Sequence, residues 1–206
     1  MSTQRRRVLE NSGLIIPADG VYIEGLDGKA YTVDKWKGGN DANSIIVASG
    51  DVKFRVALTQ ASDLMRISSS NYDPLGNYMK AISSSTAAIA DYDGAGNTAK
   101  ILQMQPSTGY AAGWCDVFVF PDGKTKGYLP SFGQLYLICK NKSEVNMALS
   151  ACGGTVMDTS DYYWSSTFGG AVKNNTTCWT IYLYACGYYR YPLYESEYVR
   201  PFADIS

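Results

Sequence analysis

Residues 131 to 154 constrain the fold more than any other stretch. Ser131-Phe132-Gly133-Gln134 has the S-x-x-Q form of a capping box, in which the Ser and Gln side chains satisfy N–H groups left free at a helix start. Leu135, Ile138 and Cys139 follow at i, i+3, i+4 spacing. Val145, Ala148 and Leu149 repeat it after Asn141-Lys142-Ser143, and Cys152-Gly153-Gly154 stops the pattern. One helical stretch is therefore predicted between Ser131 and Gly153. Asn97 to Met104 is a second helix, starting beside Gly94 and Gly96.

The flanking sequence has strand chemistry. Val21-Tyr22-Ile23 and Ala30 to Trp36 read as a hairpin around Asp27-Gly28, closed by Gly38-Gly39-Asn40. Ser44 to Ser49 and Val52 to Thr59 are two more β-rich runs, separated by Gly50-Asp51. Trp114 to Phe120 reads as a strand turned by Pro121-Asp122-Gly123-Lys124. Trp179, Ile181 and Leu183 alternate with Thr180, Tyr182 and Tyr184, so a strand buries the first set and turns the second outward. Tyr198 to Phe202 is a closing strand, with Pro201 placing it near an edge. Asp63 to Asp93 carries little pattern and reads as loops with one short helix. The class is α+β: mixed strands, about two helices and long irregular loops. Residues 1–19 read as an arm or connector, and residues 20–206 as the domain.

Several chemistries are excluded by residue type. The chain has no histidine, so Ser-His-Asp and Cys-His catalysis and His-based zinc sites are impossible. The formal net charge is −1, and the only basic run is Arg5-Arg6-Arg7, so no stripe is present to grip nucleic acid. Asp158 with Asp161, and Glu195 with Glu197, are the candidate acid/base pairs, but as neighbours in loops they read as solvated charges. No catalytic residue, metal ligand or cofactor is assigned. The five cysteines form no CxxC pair. With no signal peptide over residues 1–20 and no apolar run near 18 residues, the reading is synthesis in the cytosol, free thiols and no membrane insertion. A single disulfide remains open if the protein ends up outside a cell.

Nine of the seventeen tyrosines lie between Tyr162 and Tyr198, about three times an even share. Core packing does not call for this, because each buried phenol needs a hydroxyl partner. Gly187-Tyr188-Tyr189-Arg190-Tyr191-Pro192-Leu193-Tyr194 shows neither period and reads as an aromatic loop. Tyrosine gives amphipathic contact area at low entropic cost, and Asn, Ser, Gly and Thr add adaptable hydrogen bonds, the composition of recognition loops. Asn174-Asn175-Thr176-Thr177 and Phe168-Gly169-Gly170 supply that second ingredient. The expected ligand-binding residues are Phe168, Asn174, Asn175, Tyr182, Tyr184, Tyr188, Tyr189, Arg190, Tyr191 and Tyr194, with Arg190 either a central polar anchor or stacked on its neighbours.

Gly127-Tyr128-Leu129-Pro130-Ser131 before a helix, then Gly153-Gly154, Tyr163-Trp164-Ser165-Ser166-Thr167, Cys178-Trp179-Thr180-Ile181 and Tyr198-Val199-Arg200-Pro201-Phe202 follow the motif order of a known family. The chain resembles the C-type-lectin-like variable proteins diversified by retroelements, as in gut Bacteroides and their phages, a fold close to the formylglycine-generating enzyme. Tyr31 to Trp36, Val52 to Leu58, Asp93 to Ile101 and Ala111-Ala112-Gly113 extend the resemblance to almost everything after Gly20.

The resemblance implies a C-type-lectin-like domain with a variable region at about 162–198, varied at adenine-containing template codons. Randomising the adenines of an Asn codon reaches Tyr, Asn, Gly, Ala, Phe and Arg but not Lys, Glu or Trp. Phe168, Gly169, Gly170, Ala171, Asn174, Asn175, Tyr182, Tyr184, Tyr188, Tyr189, Arg190, Tyr191 and Tyr194 pass that filter. Lys173, Trp179, Glu195 and Glu197 fail it and would be framework. The Glu-Pro-Asn and Trp-Asn-Asp triplets of calcium-dependent sugar-binding lectins are absent, as is a closely spaced C-terminal cysteine pair. The expected function is non-catalytic binding of a protein or glycan on a target cell surface, from a phage tail fibre tip or a bacterial surface. The N-terminal arm would join a fibre protein or a homo-oligomer. An enzyme of the formylglycine-generating type and a structural fibre subunit are the alternatives.

Overall fold

The structure, a computed structural model, describes residues 14–39, 41–69 and 75–205. The Arg5-Arg6-Arg7 run and most of the predicted arm lie outside them. The fold is mixed α+β, with two antiparallel sheets and five α-helices among the described residues.

The first sheet has the order β2-β1-β3-β4-β8, from β1 (Gly20–Gly25), β2 (Ala30–Tyr31), β3 (Ala42–Ser49), β4 (Val52–Val56) and β8 (Phe202–Asp204). Its central strand, β3, is buried along almost its whole length, as an Ile-Ile-Val run requires. The β1–β2 turn forms at Asp27-Gly28: Gly28 has φ 75°, and Asp27 Oδ1 accepts the Lys29 N–H at 3.1 Å. Four strands are fastened by one buried ion pair. Arg55 Nε and Nη2 donate to the two Glu24 carboxylate oxygens at 2.8 Å each, and Arg55 Nη1 donates to the Asp204 carbonyl at 2.7 Å. Asn43 and Ser44 add donors to the same carboxylate at 2.8 and 2.6 Å, so its lone pairs are satisfied.

Helices α1 (Ser85–Ile89), α2 (Gly94–Met104), α3 (Ala111–Val117), α4 (Phe132–Lys140) and α5 (Lys142–Ala151) lie between the sheets in sequence. This is more than the two helices expected. Residues 114–120 are mostly α3 rather than a strand: Ala111, Ala112 and Cys115 form one buried helical face against Ile101 and Leu129, and only the residues after Val117 are extended. The stretch after Ser131 is two helices, not one. Asn141 leaves helical geometry at φ −114°, ψ 22°, and its side chain donates to the Leu137 carbonyl at 2.8 Å, finishing α4. The start at Ser131 is as the pattern indicates. Gln134 Oε1 accepts the Ser131 N–H at 2.9 Å, and the Phe132 N–H goes to Thr167 Oγ1 at 2.8 Å.

The second sheet is β5 (Tyr162–Val172), β6 (Asn175–Tyr182) and β7 (Gly187–Pro192), in that order. A two-residue turn, Lys173-Asn174 with φ 49° and 68°, joins β5 to β6, the arrangement whose twist suits a hairpin. Residues 187–192 are thus a paired strand rather than a loop. Cross-strand partners reveal an alternation that a run of near-identical tyrosines conceals: Tyr189 and Tyr191 lie on one face, Tyr188 and Arg190 on the other.

This sheet is clamped between two cores. Tyr163, Trp179 and Ile181 pack with β1, β3, α4 and α5 in the larger core. Trp164, Phe168 and Cys178, from the opposite face, pack with Leu75, Ile101, Leu193 and Val199 in the smaller one. The Trp-Ser-Ser-Thr and Val-Arg-Pro-Phe motifs are fastenings here. Ser165 Oγ donates to the Trp179 carbonyl at 2.7 Å, and buried Arg200 donates to the carbonyls of Ala57 and Thr155 at 2.8 and 2.6 Å. Burial lowers the Arg200 pKa to about 10, partly offset by neighbouring Tyr163. The closing strand falls slightly later than expected, at Phe202–Asp204, and pairs with the edge of β4.

Candidate functional site

The smaller core covers only part of one face of the second sheet. Beyond it, strand register brings together tyrosines from all three strands. Tyr162 stands opposite Tyr182, and Tyr189 and Tyr191 project from β7 on the same side. Tyr162 is the hub: its ring centroid is 5.2 Å from that of Tyr182, 5.8 Å from Tyr189 and 5.1 Å from Tyr191. Tyr189 and Tyr191 are 5.9 Å apart, and Tyr184 joins at 6.2 Å from Tyr182. The contacts are tilted or edge-on, as ring quadrupoles favour. Tyr184 and Tyr189 are 70% and 55% exposed, so the outer part of this fan is free to touch a ligand.

Carboxylates border the fan. Asp161 precedes Tyr162, and the segment leaving β7 carries Glu195 and Glu197. Glu197 is 7% exposed, and its backbone pairs with Met65 in both directions at 2.9 and 3.0 Å. Burial, then the charges of Asp161 and Glu195, push its pKa up to about 8. Tyr191 is raised by burial, by its hydrogen bond to Tyr162 and by the nearby Tyr162 and Glu197 charges.

The fan is held from below. The β6–β7 turn carries Cys186 at φ 52°, and a disulfide of 2.08 Å joins it to Cys139 on α4. This corrects the expectation of five free thiols. Cys115, Cys152 and Cys178 are free and buried, and burial raises all three thiols above the usual range.

Of the expected binding residues, Tyr182, Tyr184, Tyr189 and Tyr191 are brought together. Tyr188 and Arg190 face the other way: Tyr188 packs edge-on against Phe132 and Trp179 at 5.7 and 5.8 Å. Arg190 lies 5.8 Å from the Trp179 ring and donates to the Gly169 carbonyl at 3.0 Å, so it is not the anchor of the fan. Phe168 is 6% exposed within the smaller core, which corrects its place on an open face. Asn174 and Asn175 lie at the opposite end of the β5–β6 hairpin, and Tyr194 follows Leu193 in the turn after β7. Thr180, expected outside, is fully buried and donates to the Tyr189 carbonyl at 3.4 Å. Tyr162 was missed by sequence reasoning as a binding residue, because its register against Tyr182 exists only in the fold; Glu197, read from the sequence as a solvated loop charge, is buried.

No group of three or more His, Cys, Asp or Glu side chains able to hold a metal ion occurs among the described residues. No described helix is long and apolar enough to cross a membrane.

No protein-family model matches the chain, and no curated protein matches it. Among solved structures, the chain is similar in fold to a fimbrial protein from Bacteroides ovatus, with a TM-score of 0.59 at 16% identity over 89% of this chain. The match takes in 48% of that protein, so the chain spans about half its length.

Proposed function

We propose that this chain is a C-type-lectin-like, non-catalytic binding domain, displayed on a cell surface or a fibre, that recognises its ligand through the tyrosine fan of the β5–β6–β7 sheet. The carrying observation is the convergence of Tyr162, Tyr182, Tyr189 and Tyr191 from three strands, with Tyr184 from the β6–β7 turn, onto one open face. A rigid scaffold that presents amphipathic rings loses little entropy when it binds. The buried thiols support a binding role over an enzyme relying on a reactive cysteine. The likeness to a fimbrial protein and the Cys139–Cys186 disulfide both favour a role outside the cytosol.

The finer reading is that the fan is a diversified surface. Its supports are the motif order and a geometry in which exposed rings sit on strands pinned from beneath. Sequencing the 3′ end of this gene across a natural population tests it. Substitution concentrated at Tyr182, Tyr184, Tyr189 and Tyr191, with Trp164, Trp179 and Cys186 constant, is the expected pattern. Uniformly low variation would leave an invariant adhesin or a structural subunit.

A further inference from the structure

Five phenols in ring contact can also react with one another. A tyrosine that loses one electron and one proton becomes a neutral phenoxyl radical, and two such radicals join only where their rings meet. The exposed rings of Tyr184 and Tyr189 open two routes into the fan. One runs from Tyr184 through Tyr182 to Tyr162, with centroid separations of 6.2 and 5.2 Å. The other runs from Tyr189 to Tyr191 at 5.9 Å, and Tyr191 lies 5.1 Å from Tyr162. Because the groups along each route are alike, a radical passes between them without an uphill step, and both routes end at Tyr162. Side chains that would intercept it are withheld: Cys178, Trp164 and Trp179 in the same sheet are buried, and Cys186 is held in the disulfide.

Ring tilt favours the same place. Tyr162 is tilted by 36° to Tyr182 and 47° to Tyr191, towards the twisted arrangement that two flanking hydroxyls impose on a biaryl bond. The other close tyrosine pair, Tyr163 and Tyr198, is nearly parallel at 26°. Tyr163 is 1% exposed, and its hydroxyl is held, donating to Gln60 Oε1 at 3.0 Å and accepting the Asp158 N–H at 2.8 Å. We propose that the fan is an oxidative cross-linking site, at which a peroxidase-type one-electron oxidant working with hydrogen peroxide joins Tyr162 to Tyr191 or Tyr182 through ring carbons ortho to the hydroxyls. Each ring gives up one electron and one proton, and the C–C bond forms between the two radicals. The hydrogens on the joined carbons then move to the oxygens, restoring both phenols. The electrons and protons removed reduce one hydrogen peroxide to two waters. The new bond ties β5 to β7 or to β6. It depends on ring geometry alone and stands apart from the recognition reading.

The test exposes the full chain, dilute enough to keep copies apart, to a haem peroxidase and hydrogen peroxide. Dityrosine fluorescence should appear on a band that stays monomeric in a denaturing gel. Mass spectrometry of the digest should find the Tyr162 peptide joined to the Tyr191 or Tyr182 peptide, with the pair lighter by two hydrogens. Tyr162→Phe keeps the ring and its packing but removes the hydroxyl from which the radical forms, so it should abolish this product. Tyr78→Phe, at an exposed ring outside the fan, should leave it unchanged. Coupling that occurs only between chains, that maps to Tyr163 and Tyr198, or that survives Tyr162→Phe overturns the assignment. So does an absence of dityrosine under conditions that couple free N-acetyltyrosine amide.

Discussion

Breaking the Cys139–Cys186 bond tests whether the fan is held by its covalent tie to α4. The bond closes a loop of 47 residues, running through α5, the whole of β5 and β6 and the turn that carries Tyr184. Restricting an unfolded chain by a loop of that length is worth roughly 4 kcal/mol at 25 °C, on the chain-entropy account. For a domain of this size the corresponding fall in melting temperature is roughly 10 °C. Cys186→Ser and Cys139→Ser should each show that loss in urea unfolding followed by tryptophan fluorescence, as should the parent protein under a strong reductant. Cys186→Gly offers a finer check. Position 186 has φ 52°, where glycine carries no steric penalty, so it should recover about 1 kcal/mol relative to Cys186→Ser. A loss below about 1 kcal/mol for both serine variants would refute the argument, since the unfolded chain would then gain nothing from release.

Other perturbations probe separate parts of the molecule. Glu197 has a pKa raised to about 8 against an ordinary value of 4.5, so the folded state binds more protons between those values. Its contribution is complete below about pH 4.5 and is lost as pH rises through 8; Glu197→Gln should flatten that decline by about 2 kcal/mol after allowance for solvent screening, in chemical unfolding at several pH values. Arg55→Ala leaves the buried Glu24 side chain without its counter-ion and should cost about 3–5 kcal/mol, whereas replacing Glu24 and Arg55 together by apolar residues of similar volume should cost far less. Gly133→Ala puts a Cβ 2.4 Å from the Asp91 carbonyl oxygen and 2.6 Å from that of Ile89, so α4 must move away from α1, at about 1–3 kcal/mol measured by thermal unfolding.

The elements that could be read from the sequence are those whose signal is local. The Gln134 partner of Ser131, the Asp27-Gly28 turn and the alternation of Trp179 and Ile181 each depend on residues within a few positions. Helix α3 was hidden because its buried Ala111-Ala112-Cys115 face is defined by Ile101 and Leu129, which are distant in sequence. Strand β7 was hidden because tyrosine suits both of its faces: Tyr188 lies against Trp179, and Tyr189 stands in the open. The tyrosine excess located the site, but a composition count cannot show that Tyr162 is its centre. That required the pairing of β5 with β6. The disulfide followed from neither spacing nor composition, because the fold alone brings α4 beside the β6–β7 turn.

The pairing of β4 with β8 sets the order in which this protein can form. Phe54 faces Asp204 and Val56 faces Phe202, so one edge of the first sheet waits for residues nearly 150 positions later. At ribosomal rates of about 5–20 residues per second, that interval lasts roughly 10–30 s. During it, the apolar β4 edge stands open and Glu24 and Arg55 lack the Asp204 carbonyl that completes their network. Folding dominated by such distant contacts is slow, and the nascent chain spends that time exposed to edge-to-edge association. Production of this protein should therefore depend on chaperone capacity more than its compact final fold implies.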